Sequence, residues 1–232
     1  MNCRLITSLL LASFMFASAH NLLIPPAFLP TKKTFTVVAN TDFVYGSLNA
    51  KNFAVPKLQS FTEALSGFYN LKAKGLVSKN IITLIDFSLP SNAKRLWVID
   101  VAKNVILFNT FVSHGINSGL EYANSFSNID SSKKSSLGFY ATGEAYIGKH
   151  GFSLKLDGLE KGVNNNARSR AVVVHGADYA NASVFNSQHF LGRSQGCPAL
   201  PENLSKQIIN TIKGKSCLFI YHPSRVSRLA RA

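Results

Sequence analysis

The chain has 232 residues, 46% of them hydrophobic, with 25 Lys+Arg against 11 Asp+Glu and a formal net charge of +14. That length can bury a full hydrophobic core, as one large domain or as one domain with an N-terminal extension. A basic balance attracts polyanions. No arginine-rich tract or basic-aromatic repeat accompanies it, which argues against nucleic acid and leaves anionic cell-wall polymers or lipid headgroups as the implied partners.

The N-terminus reads as a leader. Arg4 is a positive start, residues 5–16 are apolar and uncharged, and Ala17-Ser18-Ala19 fits the small-x-small rule for cleavage. The apolar stretch is too short to span a bilayer, and no later segment is long or apolar enough to do so. Residues 1–19 are therefore expected to be a signal peptide. The mature protein is expected to be soluble and exported to the periplasm or cell envelope, with no transmembrane segment. Loss of Arg4 lowers its charge from +14 to +13.

Residues 20–55 are rich in Pro, Asn, Thr and Lys and read as an extended arm. From Pro56 the pattern becomes helical: Leu58, Phe61, Leu65, Phe68 and Leu71 form one apolar face, and Gly75 is the expected stop. Residues 81–87 predict a strand ended by Leu89-Pro90-Ser91-Asn92. Residues 95–101 and 105–112 predict a hairpin across Lys103-Asn104. After a Ser/Asn-rich loop, strands are expected over 138–146 and 152–156. A Gly/Asn-rich loop over 157–170 leads to a short β-branched strand, 171–174, with His175 at its end. Residues 177–192 are irregular, 201–212 read as a helix, and 217–221 as a closing strand. Residues 224–232 form a basic tail holding Arg225, Arg228 and Arg231. The sum is a β-rich α+β domain over residues 56–223.

Leader removal takes Cys3 and leaves Cys197 and Cys217. Cys217 lies in an apolar strand and reads as an inert core thiol. Cys197 lies among small and polar residues, Gly192-Arg-Ser-Gln-Gly-Cys-Pro198, where a thiol is accessible. An exposed thiol left free in an oxidising space needs a reason, and nucleophilic catalysis is one. A cysteine attacks carbonyls as thiolate, which calls for a neighbouring base, and histidine suits that task near neutral pH. His175 ends the β-branched run 22 residues before Cys197. His114 and His189 remain the competing candidates. Gly196 lets backbone amides approach the oxyanion formed on attack, whereas Pro198 has no N–H to offer. No histidine pair has metal-ligand spacing and no second thiol lies near Cys197, so neither metal nor cofactor is implied. A Gly-x-Ser-x-Gly elbow is also missing.

These residues resemble a known family. His175-Gly176 followed by Ser194-x-Gly196-Cys197 is similar to the catalytic motif of YkuD-type L,D-transpeptidases. The run from Gly192 to Leu200 is similar to their murein L,D-transpeptidase catalytic domain subgroup. Asp86-Phe87-Ser88, Arg95-Leu-Trp-Val-Ile-Asp100, Ser113-His114-Gly115, Phe126-Ser127-Asn128, Gly148-Lys-His-Gly151 and Leu156-Asp-Gly158 extend the likeness in order.

The resemblance implies a fold of mixed sheets in a sandwich with a few packed helices. It also implies roles: Cys197 as nucleophile, His175 as base with its ring oriented by the Gly176 carbonyl, Ser194 in support, and amides near Gly196 and Cys197 holding the oxyanion. The implied substrates are peptidoglycan stem peptides, joined by 3→3 cross-links through a Cys197 thioester. Transfer to water would instead give an L,D-carboxypeptidase, and a non-catalytic cell-wall binding domain is the alternative of another class. The chain departs from the family in two places. Pro198-Ala199-Leu200 stand where Arg or Asn is usual, which makes Arg193 the substitute ligand for a substrate carboxylate. The longer spacing from His175 to Cys197, which includes Tyr179 and His189, would reshape the substrate groove.

Overall fold

The computed structural model describes residues 41–225. The expected leader (1–19), the first part of the expected arm (20–40) and most of the basic tail (226–232) lie outside the described residues. Joined by loops and shorter helical segments, eight strands and two helices of more than two turns organise the described residues. They are α1 (Leu58–Ala73), β1 (Ile81–Asp86), β2 (Leu96–Asp100), β3 (Val105–Thr110), β4 (Gly138–Gly148), β5 (Gly151–Gly158), β6 (Val173–Ala177), β7 (Ala199–Pro201), α2 (Glu202–Ile212) and β8 (Cys217–Tyr221).

The strands form one mixed sheet in the order β3-β2-β1-β8-β4-β5-β6-β7. Two neighbour pairs are parallel, β1 with β8 and β6 with β7, and the rest are antiparallel. The β-rich α+β class expected from the sequence is the class observed.

Strand alternation divides the core in two. On β8, Leu218 and Ile220 point into one cluster, with Ile85, Val98, Leu154, Leu156 and the α2 residues Ile208, Ile209 and Ile212. Cys217, Phe219 and Tyr221 point the other way, into a cluster with Ile82, Leu84, Trp97 and the α1 residues Phe61, Leu65 and Phe68. Side chains of a strand alternate between faces, so a central strand covered on both sides must be apolar throughout. All five residues of β8 are buried. On α1, Phe61, Ala64, Leu65 and Phe68 carry the burial at helical spacing, while Leu58 stays exposed. The helix ends as the sequence suggests: Gly75 N–H donates to the Lys72 carbonyl and Leu76 N–H to that of Leu71.

Three sequence expectations shift. Residues 41–46 are helical rather than extended. The segment that follows packs on the domain: Asn49 bridges Val105, and Trp97 Nε1–H donates to the Ala54 carbonyl at 2.7 Å. The β4–β5 hairpin is longer at both ends than the sequence suggests. The β6 strand begins two residues late and runs past His175, which sits in its middle rather than at its end. Ala171 has φ +54, which breaks extended backbone before the strand starts. Pairing with β7, a contact distant in sequence, carries the strand on through Gly176 and Ala177.

Candidate active site

The β6–β7 register brings the two ends of the expected site together. His175 pairs with Ala199 and Gly176 with Leu200 in the parallel ladder. Continuing that register back by two residues sets Cys197, just before β7, abreast of Val173 at the start of β6. The sulfur reports the same placement. Val173 N–H donates to Cys197 Sγ at 3.4 Å, and the thiol faces the Ala171 carbonyl at 3.7 Å. Cys197 is half-buried and Cys217 fully buried, and both are free thiols.

The Cys197 loop is held from several sides. Ser194 Oγ accepts from Gly196 N–H at 3.0 Å and donates to the Cys197 carbonyl at 2.6 Å. Ser194 N–H donates to the His114 carbonyl, and the Ser194 carbonyl accepts from Ile116 N–H. Ser135 Oγ donates to the Gly196 carbonyl at 3.0 Å. Gly196 has φ +126, and a Cβ there would lie 2.9 Å from the Lys134 carbonyl oxygen. Only glycine suits both the conformation and the space. Because Ser194 already engages the Gly196 amide, that N–H is not free to hold an oxyanion.

His175 is 1% exposed. Its Nδ1 lies 2.8 Å from the Gly176 carbonyl. A carbonyl can only accept, so Nδ1 carries the proton and Nε2 keeps its lone pair, the arrangement a general base requires. Burial lowers the His175 pKa from its ordinary value; the Gly176 hydrogen bond opposes this, and the neighbouring His150 adds to it. The imidazole therefore stays neutral near pH 7.

The other histidines separate from this one. His114 is wholly buried with both nitrogens occupied. Arg95 Nη2 donates to Nδ1 at 2.7 Å, and Nε2 donates to the Gly119 carbonyl at 3.2 Å. Burial, with the Arg95 charge second, pushes its pKa down to about 3. No lone pair is left to take a proton from a thiol. His189 is exposed on the irregular loop, where its carbonyl accepts from Asn92. His222 shares a hydrogen bond with Ser224 beyond β8.

Arg193 is half-buried beside Phe190, and Nη1 reaches the Gly119 carbonyl at 3.4 Å. A second arginine, passed over in the sequence, acts on the thiol through its charge. Arg170 donates to the carbonyls of Ser127 and Lys134 and to the hydroxyls of Ser132 and Ser136, which ties the 127–136 loop to the segment that leads into β6. Burial pushes the Cys197 thiol pKa up, while the Val173 amide and the Arg170 charge pull it down. The sequence signal for Arg170 was slight: one arginine ending a Gly/Asn-rich loop.

A cavity of about 220 Å³ is lined by Tyr146, Lys155, Leu156, Arg168 and the 171–173 segment. Ala171 and Val173, the two residues whose backbone meets Sγ, form part of its wall. Its cations are paired, Lys155 and Arg168 with Glu144, and Arg168 also with Asp157. No group of three or more metal-ligating side chains occurs among the described residues. Nor is any helix among them long and apolar enough to cross a membrane.

The sequence profile of a family described as "L,D-transpeptidase catalytic domain" matches residues 54–221. No curated protein matches the chain. Among solved structures, an L,D-transpeptidase from Mycobacterium smegmatis is similar at 12% identity over 62% of this chain and 59% of that one, with a TM-score of 0.38. The helical cell shape determining protein Pgp2 from Campylobacter jejuni matches at 17% identity over 63% and 48%, with a TM-score of 0.42. L,D-transpeptidase 1 from Mycobacterium tuberculosis matches at 11% over 62% and 63%, with a TM-score of 0.36. The chain thus spans less than two thirds of these proteins' own length.

Proposed function

The chain belongs to the L,D-transpeptidase catalytic domain family, and on that premise we propose that it is an exported cysteine acyltransferase acting on peptidoglycan stem peptides. The observation that carries the reading is the β6–β7 pairing. It sets a half-buried free thiol beside the strand that holds a neutral imidazole with a free Nε2.

The reaction follows from these groups. His175 Nε2 takes the Cys197 thiol proton as Sγ attacks the carbonyl of the diamino acid at stem position three. The Cys197 amide receives the oxyanion, since Ser194 holds that of Gly196 and Pro198 has none. The tetrahedral centre collapses, the C–N bond breaks, and the imidazolium returns its proton to the departing D-alanine amine. A thioester remains. The amine of a second stem then attacks it, loses a proton to Nε2, and the thiolate leaves and is reprotonated. The product is a 3→3 cross-link. Water in place of the amine gives the tripeptide. The cavity walled in part by Ala171 and Val173 is where one arm of the donor would lie, and the half-buried Arg193 is offered as a ligand for a substrate carboxylate. The leader-like residues 1–19 support export.

The test is incubation of the pure protein with disaccharide-tetrapeptides, with products identified by mass spectrometry. Dimers with 3→3 bonds are expected from the wild type, and none from Cys197→Ala. Turnover retained in Cys197→Ala would falsify the reading. Tripeptide alone would assign the carboxypeptidase reaction. Binding to sacculi without any turnover would assign a wall-binding role.

A further inference from the structure

The turn between β4 and β5 lays a second imidazole on the first. Lys149 and His150 lie between the strand ends Gly148 and Gly151. Gly151 has φ +70, a conformation glycine adopts without strain. The ring centroids of His150 and His175 are 4.4 Å apart and their planes meet at 22°. His150 is exposed and His175 buried, so the outer ring covers one face of the inner one. The Gly148-Lys-His-Gly151 segment stands out in the sequence, and the proposed chemistry gives it no part.

Near-parallel rings cannot hydrogen-bond to one another, because ring N–H groups and lone pairs lie in the ring plane. A proton relay between the two histidines is therefore excluded by geometry. Restraint remains. The bond from Nδ1 to the Gly176 carbonyl fixes one edge of the His175 ring but leaves it free to tilt about that bond. A flat contact from a separate hairpin limits that tilt. Its register partners on β5 and β7, Ser153 and Ala199, offer no ring or charge to do the same.

We propose that His150 is a positioning residue whose ring, stacked on His175, holds that imidazole in the orientation that presents Nε2 to the Cys197 thiol. The inference rests on His175 being the base. Orientation acts on the chemical step and not on substrate affinity, so its effect should fall on kcat. One aromatic contact is equivalent to about a three- to tenfold change in the oriented population.

The experiment compares wild type, His150→Ala and His150→Phe in turnover of disaccharide-tetrapeptides, with Cys197→Ala and His175→Ala beside them. His150→Ala should lower kcat about three- to tenfold with KM unchanged. His150→Phe keeps a stacking ring and should restore kcat. Residue 150 sits on an exposed turn, so neither change threatens the fold. Wild-type kcat in His150→Ala, an equal loss in His150→Phe, or a change confined to KM overturns the inference. If Cys197→Ala and His175→Ala are dead while His150→Ala is unaffected, the positioning role falls and the enzyme reading stands. Full turnover in His175→Ala overturns both the base assignment and the inference.

Discussion

Acid should loosen this protein through His114, which lies behind the cysteine loop. His114 is wholly buried and neutral, and its pKa falls from 6.5 to about 3 on folding. The unfolded chain therefore binds the proton more readily than the folded one. Stability from this group is complete above pH 6.5 and is lost as pH falls from 6.5 toward 3. At about 1.36 kcal/mol per pH unit, the loss is about 3 kcal/mol by pH 4 and about 5 kcal/mol in full. A domain with a total stability of roughly 5–15 kcal/mol would feel that strongly. The Arg95 guanidinium 2.7 Å from Nδ1 explains why the fold gives no relief: the added proton would meet a fixed cation and find no acceptor.

The perturbation is His114→Asn, whose side-chain oxygen can still accept from Arg95 but does not titrate. Urea unfolding of both proteins at pH 7.5, 6, 5 and 4 gives the comparison. The variant should be less stable at pH 7.5 by a constant amount, and the gap should close by about 3 kcal/mol at pH 4. Parallel stability profiles would refute the assignment of a buried neutral imidazole. Because the His114 carbonyl holds the Ser194 amide, the same acid transition should lower the amide protection factors in the cysteine loop, taken relative to the intrinsic exchange rate at each pH.

Two further outcomes test the loop itself. Ser194→Ala leaves the buried Gly196 amide without its acceptor and should cost about 1–3 kcal/mol in urea unfolding, with kcat reduced; stability within about 0.5 kcal/mol of wild type would contradict it. Gly196→Ala forces a side chain into φ +126 and to 2.9 Å from the Lys134 carbonyl, and should lower stability by about 1–3 kcal/mol. An unchanged melting temperature together with unchanged Cys197 alkylation kinetics would show that the loop accommodates it.

Much of the site could be read in the residues because its signals are local. Cys197 stood out by its small, polar surroundings, and His175-Gly176 by closing a β-branched run. The tie between the His175 ring and the next carbonyl, implied by resemblance, is present at 2.8 Å. Where the sequence left several histidines open, burial and partners separate them. His114 stayed a competing candidate to His175 by position, and only the Arg95 side chain, nineteen residues away, shows that its lone pair is taken.

The apolar patterns by themselves marked α1, α2 and most strands, though not β7 or the helical segment over 41–46, because alternation and helical spacing are written in neighbouring residues. They determined α1 to its last turn and β8 as a central strand. Tertiary structure decided what depends on register. Parallel pairing of β6 with β7 extended β6 beyond its own pattern and set Cys197 beside Val173. The β4–β5 turn carried His150 onto His175, and Arg170 was joined to the 127–136 loop, where its charge acts on the thiol. Such contacts join residues more than twenty positions apart, and no local preference encodes the distance between them.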